Sequence, residues 1–169
     1  MLNYNSVIKN EIKQESISVK EISPIIKINL RGKKREFLTN VGKNLNMILP
    51  TEANTSTTSD KLTAIWLSPD EWMIISNELA SKDTNKSDLY EILFNSISKT
   101  NLGAVIDVTD QFVQLELKGE NVYEIFSAGS PFNFNEFKEK KGSTTQTILN
   151  HVDVILHHKD ENIVNLFVR

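Results

Sequence analysis

The last part of the chain contains three apolar segments that are separated by very short links. Thr144 to Leu149, Val152 to His158 and Ile163 to Val168 each have the length of a β-strand. The links Asn150-His151 and Lys159 to Asn162 are short enough for hairpins. These spacings predict three consecutive antiparallel strands, so the fold must contain an antiparallel sheet.

A further strand is predicted earlier, over Phe112 to Lys118. From Val113 onwards the apolar and polar residues alternate, as in a strand with one buried face and one face in water. The predicted buried face carries Val113, Leu115 and Leu117, and the predicted wet face carries Gln114, Glu116 and Lys118.

Helices and further strands are interspersed in the rest of the chain. Helical spacing of apolar residues predicts helices over 34–46 and 88–97, and residues 51–61 and 77–87 are predicted to be loops. Additional strands are predicted at Ile25 to Leu30, Leu62 to Leu67, Glu71 to Ser76 and Ala104 to Thr109. This order predicts an α+β fold, with mixed or antiparallel sheets and packed helices, rather than a regular βαβ repeat.

The domain organisation follows from length and local composition. A chain of 169 residues has the length of one domain. Residues 1–22 are polar with scattered isoleucines and are predicted to be an N-terminal arm. Residues 23–169 are predicted to be a single domain of two small halves, roughly 23–102 and 103–169.

Composition excludes several classes of protein. The absence of cysteine excludes disulfides, thiolate zinc sites, iron–sulfur clusters and thiol catalysis. No apolar run approaches the ~18 residues of a membrane span, and the N-terminus has no apolar signal-peptide core. Residues 1–50 carry nine Lys and Arg against four Asp and Glu, which is less basic excess than nucleic-acid binders show. We therefore expect a cytoplasmic protein that binds neither nucleic acid nor membrane.

Two pairs of side chains are weak candidates for chemistry. His151 and Asp153 would share one strand face and could hold a metal, although an exposed polar face is the more common meaning of such a pair. Asp107 and Asp110 at the end of a strand could do acid–base work, or could bond the backbone N–H groups of a turn. No glycine-rich phosphate loop is present.

A basic run, Arg31-Gly32-Lys33-Lys34-Arg35, lies between a predicted strand and a predicted helix. The run could hold a phosphate or an acidic partner. A basic turn between two elements is the interpretation that the general false-positive risk of short basic runs favours.

The segment WLSPDEWMII, which begins at Trp66, resembles the WLGPDEWLL signature of the gamma subunit of heterotetrameric sarcosine oxidase. Ser68 replaces a family glycine there, and Ser130 and Asn133 stand where the family has Cys and Asp. Over about residues 25–169, further segments resemble the family in the same order: INLRG from Ile28, Leu49-Pro50, AVIDVTD from Ala104, LELKG from Leu115, SAGSPFNF from Ser127, Gln146-Thr147 and NLFVR from Asn165.

The resemblance implies an α+β fold similar to the folate-binding domain of the glycine-cleavage T-protein and of the tRNA-modification GTPase. It implies a complex with alpha, beta and delta subunits that oxidises sarcosine to glycine and passes the one-carbon unit to tetrahydrofolate. FAD, FMN, NAD, zinc and tetrahydrofolate are then expected in the partner subunits. This chain is expected to hold no cofactor or catalytic residue and to serve assembly.

Two groups of residues are the predicted subunit contacts under this interpretation: the basic residues Arg31, Lys33, Lys34 and Arg35, and the aromatic residues Phe132, Phe134 and Phe137. The alternative is a stand-alone folate-binding or aminomethyltransferase-like domain. In that case Asp107 or Asp110 would be the carboxylate for the amino-pyrimidine edge of a pterin.

Overall fold

The structure is a computed structural model that describes residues 5–59, 61–79 and 88–169, without the side chains of residues 77–79. Strands and helices alternate irregularly along these ranges, which confirms the predicted α+β class. In chain order the elements are β1 (Ile12–Gln14), β2 (Ile17–Ile22), β3 (Ile25–Arg31), α1 (Arg35–Leu45), β4 (Ser56–Thr58), β5 (Leu62–Ser68), β6 (Glu71–Leu79), α2 (Asp88–Leu93) with a π-helical continuation (Phe94–Ser98), β7 (Ala104–Asp107), a 3₁₀ turn (Thr109–Gln111), β8 (Val113–Lys118), α3 (Val122–Gly129), α4 (Asn135–Glu139), β9 (Thr144–Leu149), β10 (Val152–Asp160) and β11 (Ile163–Val168).

The chain divides into two compact units. The first unit contains Ile25–Thr109, and the second combines the described residues before Ile25 with Asp110–Arg169. The predicted boundary between the halves, after residue 102, therefore lies seven residues too early. The observed boundary lies after Thr109 because β7 pairs with β3 and so belongs to the first sheet.

The first unit is a five-stranded antiparallel sheet in the order β4-β5-β6-β3-β7. The predicted turn at Ser68-Pro69-Asp70 joins β5 to β6 as a hairpin, and β6 continues to Leu79, into the predicted loop 77–87. Residues 80–87 of that loop lie outside the described residues. One face of the sheet packs with α1 and with the helix from Asp88 to Ser98 around Phe37, Val41, Trp72, Leu93 and Ile97.

The second unit is a six-stranded antiparallel sheet in the order β1-β2-β8-β11-β10-β9. The predicted hairpins are confirmed: β9, β10 and β11 follow one another in space as in sequence. Asn150 and His151 both have positive φ, 48° and 70°, as a two-residue type I′ hairpin requires. The helices α3 and α4 pack on one face of this sheet, around Val122, Phe126, Phe134, Phe137 and Leu156.

The N-terminal segment is not a loose arm. Residues 12–22 form β1 and β2, and β2 pairs with β8 over Ser18–Ile22. Ile12, Ile17 and Ile22 belong to this edge hairpin. Their spacing in the sequence does not indicate a strand pair. Gly119 makes this pairing possible, because a Cβ there would lie 2.1 Å from the Ser16 carbonyl oxygen and its φ is +149°.

The predicted wet face of β8 is also wrong in part. Gln114 is 6% exposed, although Lys118 is exposed as expected. Gln114 lies opposite Phe167, and Phe167 lies opposite Ile155 on the next strand. Both neighbours are buried, so tertiary packing overrides the alternation that the sequence shows.

No helix in the described part of the chain is long and apolar enough to cross a membrane.

Candidate interaction surface

The basic run is the turn that leads from β3 into α1. Gly32 fixes this turn: its N–H donates to the Asp70 carbonyl oxygen at 3.0 Å, and a Cβ there would lie 2.5 Å from the Phe37 ring. Arg31 lies 4.0 Å from Glu71, and Lys33 lies 3.4 Å from Asp70. The predicted basic turn is therefore confirmed as a structural feature, and two of its cations are paired with carboxylates of the β5–β6 hairpin.

Asp70 is the acidic side of this pairing. The Ser68 hydroxyl donates to Asp70 Oδ1 at 2.9 Å. This hydrogen bond, together with the charge of Lys33, holds the pKa of Asp70 below its usual value. Lys33 is thus paired with a carboxylate that the neighbouring hairpin holds in place.

Three cations beside this turn are different. Lys34, Arg35 and Lys43 are exposed and take part in no ion pair among the described residues. Residues 35, 39 and 43 are four positions apart, and side chains at that spacing lie on the same face of a helix. Arg35, Thr39 and Lys43 therefore form a polar stripe along α1, and its two charges have no ion pair within the part of the chain that the structure describes.

A groove runs beside the carboxyl end of this stripe, and it is called the α1 groove below. Its volume is about 560 Å³. Its apolar lining comes from both sides of the helix end: Leu38 on α1, and Met47, Ile48 and Leu49 in the segment that follows. Thr39 and Lys43 of the polar stripe line the same groove. The groove therefore combines an apolar interior with a cationic rim.

Ile48 is the exposed apolar residue of the α1 groove. It is 82% exposed, whereas Met47 and Leu49 on either side are 8% and 4% exposed. Met47 and Leu49 contribute to the core of the first unit, whereas the Ile48 side chain between them faces outward. Sequence analysis did not single out Ile48, because nothing in its neighbourhood distinguishes it from a core residue.

The aromatic contact residues that the sequence predicted lie mostly inside the second unit. Phe134 and Phe137 are each 4% exposed and Phe132 is half-buried. The rings of Phe134 and Phe137 meet edge to face at 5.8 Å, and Phe132 meets Phe134 at 5.0 Å. Phe134 and Phe137 are therefore core residues, and their prediction as surface contacts is corrected.

His158 completes this aromatic cluster, which is defined here as Tyr123, Phe126, Phe132, Phe134, Phe137 and His158. Its Nδ1 lies 3.0 Å from the carbonyl oxygens of Phe137 and Lys140. Because carbonyl oxygens only accept hydrogen bonds, Nδ1 carries the proton and donates. His158 thereby ties the end of α4 to β10.

The predicted metal pair is not brought together as a site. His151 lies in the hairpin turn rather than on the strand, and Asp153 lies on β10, opposite Ile148. Both side chains are exposed. Within the described residues, no three His, Cys, Asp or Glu side chains come together as metal ligands.

The predicted pterin carboxylates lie at the end of β7. Asp107 Oδ1 accepts a hydrogen bond from the Thr109 backbone N–H at 2.9 Å. This is the bond to a turn's backbone N–H that the sequence analysis gave as the alternative to acid–base work. Asp110 is exposed in the following 3₁₀ turn. Neither aspartate lines the α1 groove or a second groove of about 460 Å³ in the second unit, which Asp153 does line with Phe112 and Arg169.

Two buried titratable side chains, His157 and Lys27, were also missed by the sequence analysis. His157 is 4% exposed, and burial, followed by the charges of His158 and Lys159, lowers its pKa from 6.5 to about 4. Lys27 is 2% exposed, with Nζ 3.3 Å from the carbonyl oxygens of Ile25 and Thr109. His157 pairs with Asn165 on β11 and Lys27 pairs with Ile75 on β6, and the sequence does not specify these registers.

The fold resembles two solved structures. Heterotetrameric sarcosine oxidase from Corynebacterium sp. U-96, in complex with pyrrole 2-carboxylate, matches with a TM-score of 0.81 and 17% identity, over 94% of this chain and 79% of that chain. The glycine cleavage system aminomethyltransferase T from Bartonella henselae matches with a TM-score of 0.62 and 17% identity, over 90% of this chain and 42% of that chain. At these identities the likeness shows the fold alone, and it confirms the predicted similarity in fold to the T-protein.

Sequence comparison gives the family. A search of curated protein sequences finds no match. The model of the family described as "Sarcosine oxidase, gamma subunit family" matches residues 32–169. That range includes both the WLSPDEWMII segment and the C-terminal hairpins. The chain belongs to the sarcosine oxidase gamma subunit family.

Proposed function

We propose that this chain is the gamma subunit of a multi-subunit sarcosine oxidase, in which it contributes binding surface and assembly rather than catalytic groups. The observation that carries the proposal is the family match over residues 32–169. The similarity in fold to heterotetrameric sarcosine oxidase over 94% of this chain supports it.

The partners in this proposal are alpha, beta and delta subunits, and the complex works in the cytoplasm. FAD, FMN, NAD, zinc and tetrahydrofolate are bound by those subunits, and this chain holds no cofactor. The α1 groove supports a binding role, as do Lys34, Arg35 and Lys43, which have no ion pair with any described residue. Exposed apolar surface rimmed by polar groups is typical of protein interfaces.

The test is co-purification. A tagged copy of the chain is expressed with the alpha, beta and delta subunits encoded in the same genome, and the purified material is examined for flavin absorbance and sarcosine-dependent hydrogen peroxide. We expect all four chains at equal stoichiometry with activity. The matched control carries the tag on the alpha subunit and omits this chain. If that preparation is equally stable and active, the proposed assembly role is wrong.

The second candidate function is a stand-alone folate-binding domain, which the similarity in fold to aminomethyltransferase T favours. It is tested by calorimetry of the purified chain with tetrahydrofolate at high protein concentration. Heat of binding that disappears in Asp110→Asn would support this candidate. The absence of heat at saturating folate would remove it.

A further inference from the structure

The α1 groove has the composition of a docking site for another protein. Ile48 is 82% exposed at its edge, and Leu38, Met47 and Leu49 form its apolar lining. A single exposed isoleucine is ordinary on a protein surface. An isoleucine beside an apolar groove of about 560 Å³ is different, because a partner's apolar side chain can enter the groove while Ile48 packs against it.

The groove is held open by the backbone around it. Asn46 adopts the left-handed conformation at φ 49° and ends α1, and the Met47 N–H donates to the Gly42 carbonyl oxygen at 3.2 Å. A Cβ at Gly42 would lie 3.2 Å from the Met47 carbonyl oxygen, so the segment approaches the helix closely there. Further along, Pro50 accepts a hydrogen bond from Trp72 Nε1 at 2.8 Å. These contacts fix Ile48 in place before any partner binds, which lowers the ordering cost of binding.

The charge around the groove indicates the charge of the partner. The surface stretch 31–51 carries five Lys and Arg and a single acidic residue, Glu36. Asp70 and Glu71 offset Lys33 and Arg31 from the neighbouring hairpin. Lys34, Arg35 and Lys43 are left without an ion pair among the described residues, and Lys43 itself lines the groove. Complementary potential therefore calls for a partner segment with carboxylates.

We propose that the α1 groove docks an acidic amphipathic segment of a partner subunit, whose apolar side chains contact Ile48 and Leu38 while its carboxylates face Lys43 and Arg35. This inference rests on the proposed function, because the partner is a subunit of the same complex. The volume of the groove lies within the ~300–1,000 Å³ range of binding pockets, and the mode of binding is the insertion of spaced apolar anchors from one segment.

The first experiment compares variants in the co-expressed four-subunit complex. Ile48→Asp places a carboxylate where the partner's carboxylates must approach, and we expect it to lower the affinity by about tenfold or more, equivalent to about 1.4 kcal/mol. Lys43→Glu is expected to weaken binding most at low salt, because screening reduces the contribution of a surface charge. Val7→Asp is the matched control, since Val7 is 80% exposed but lies outside the groove.

The outcomes separate this inference from the proposed function. If the unchanged chain does not co-purify with the three subunits, the proposed function fails and the inference fails with it. If the unchanged chain co-purifies and Ile48→Asp co-purifies equally well, only the inference fails. Circular dichroism of each purified variant shows whether a loss of binding is a loss of folding. Loss of binding by a fully folded Ile48→Asp, with Val7→Asp unaffected, supports the inference.

The second experiment identifies the docked segment. Ile48 is replaced by p-benzoylphenylalanine, the assembled complex is irradiated, and the cross-linked peptide is read by mass spectrometry. We expect a partner segment in which apolar residues are interspersed with Asp and Glu. A cross-linked segment that is basic, or an assembled complex without a cross-link at this position, would contradict the inference.

Discussion

The two units have the same arrangement of helices on a sheet but differ in which side chains they expose. In each, helices cover one face of an antiparallel sheet around an apolar cluster. In the second unit the aromatic cluster closes over that face, with Phe134 and Phe137 each 4% exposed. In the first unit the chain after α1 leaves an apolar groove open, with Ile48 82% exposed. Both interiors contain aromatic rings, but the first unit places Ile48, the most exposed large apolar side chain among the described residues, beside an apolar groove.

Phe137→Ala is the largest test of this comparison. Because Phe137 is buried among Phe132, Phe134, Tyr123 and His158, we expect a loss of about 3–5 kcal/mol in the free energy of unfolding. Denaturant titration measures it. Unchanged stability combined with weaker partner binding would mean that Phe137 is a surface contact residue, and the comparison between the two units would be wrong.

Acidification probes the interior of the second unit. Burial lowers the pKa of His157 to about 4 in the folded chain, from 6.5. Between these values the unfolded chain binds more protons, so stability rises with pH there, and it falls as pH drops from about 6.5 towards 4. The predicted loss from this group is about 3 kcal/mol. His157→Gln is expected to flatten the stability profile over that range.

The matched control for this pH profile is His151→Gln, since His151 is exposed in the hairpin turn. We expect its profile to follow that of the unchanged chain. Equal slopes for His157→Gln and the unchanged chain would mean that His157 titrates in the folded protein as it does in water.

Gly119→Ala tests the pairing of the N-terminal hairpin. A Cβ there would lie 2.1 Å from the Ser16 carbonyl oxygen, at a φ of +149°, so the backbone must move. We expect a loss of about 2 kcal/mol or more in stability, with faster hydrogen exchange of the β2 amides. Unchanged exchange in β2 would show that the hairpin tolerates the shift.

Trp72→Phe tests the anchor of the open groove. The variant keeps an aromatic ring against Phe37, 5.8 Å away in the present structure, but removes the N–H that the buried Pro50 carbonyl oxygen accepts. We expect about 1–3 kcal/mol of destabilisation in the free energy of unfolding, from the oxygen left unpaired. Unfolding measured at several temperatures would show whether the segment around Ile48 unfolds before the rest of the chain. A stability equal to that of the unchanged chain would mean that water replaces the donor.

Ile48→Asp gives the smallest effect on stability. A side chain that is 82% exposed loses almost no burial when it is replaced, so we expect a change within about 0.5 kcal/mol. Thermal unfolding of the isolated chain measures it. A loss of more than about 1.5 kcal/mol would place Ile48 in the core and remove the contrast between the two units.

Local pattern predicted most of the regular structure. The strands Thr144 to Leu149 and Ile163 to Val168 and the helix over 34–46 agree with the structure to within a residue at each end, because turn chemistry and periodicity are encoded over a few residues. The N-terminal hairpin was missed, since β1 has three residues and all are exposed. Its stability comes from β8, which lies nearly a hundred residues away in sequence.

The candidate site could be predicted only in part. The basic run from Arg31 to Arg35 was visible as a run of charge, but which of its members stay unpaired depends on Asp70 and Glu71, which the β5–β6 hairpin brings beside it. The same long-range packing buried Phe134 and Phe137 and exposed Ile48. An aromatic residue among polar neighbours has the same sequence pattern whether a short helix covers it or a partner does.

The sequence by itself determined the α+β class, the C-terminal hairpins and, through the segment WLSPDEWMII, the family. These properties rest on contacts between near neighbours in the chain or on an ordered series of motifs. The tertiary structure alone decided which apolar side chains face outward, which cations lack an ion pair among the described residues and which histidines lie in the interior. Those properties depend on pairings such as β2 with β8 and β3 with β7, whose partners are far apart in sequence and are chosen by the packing of the whole sheet.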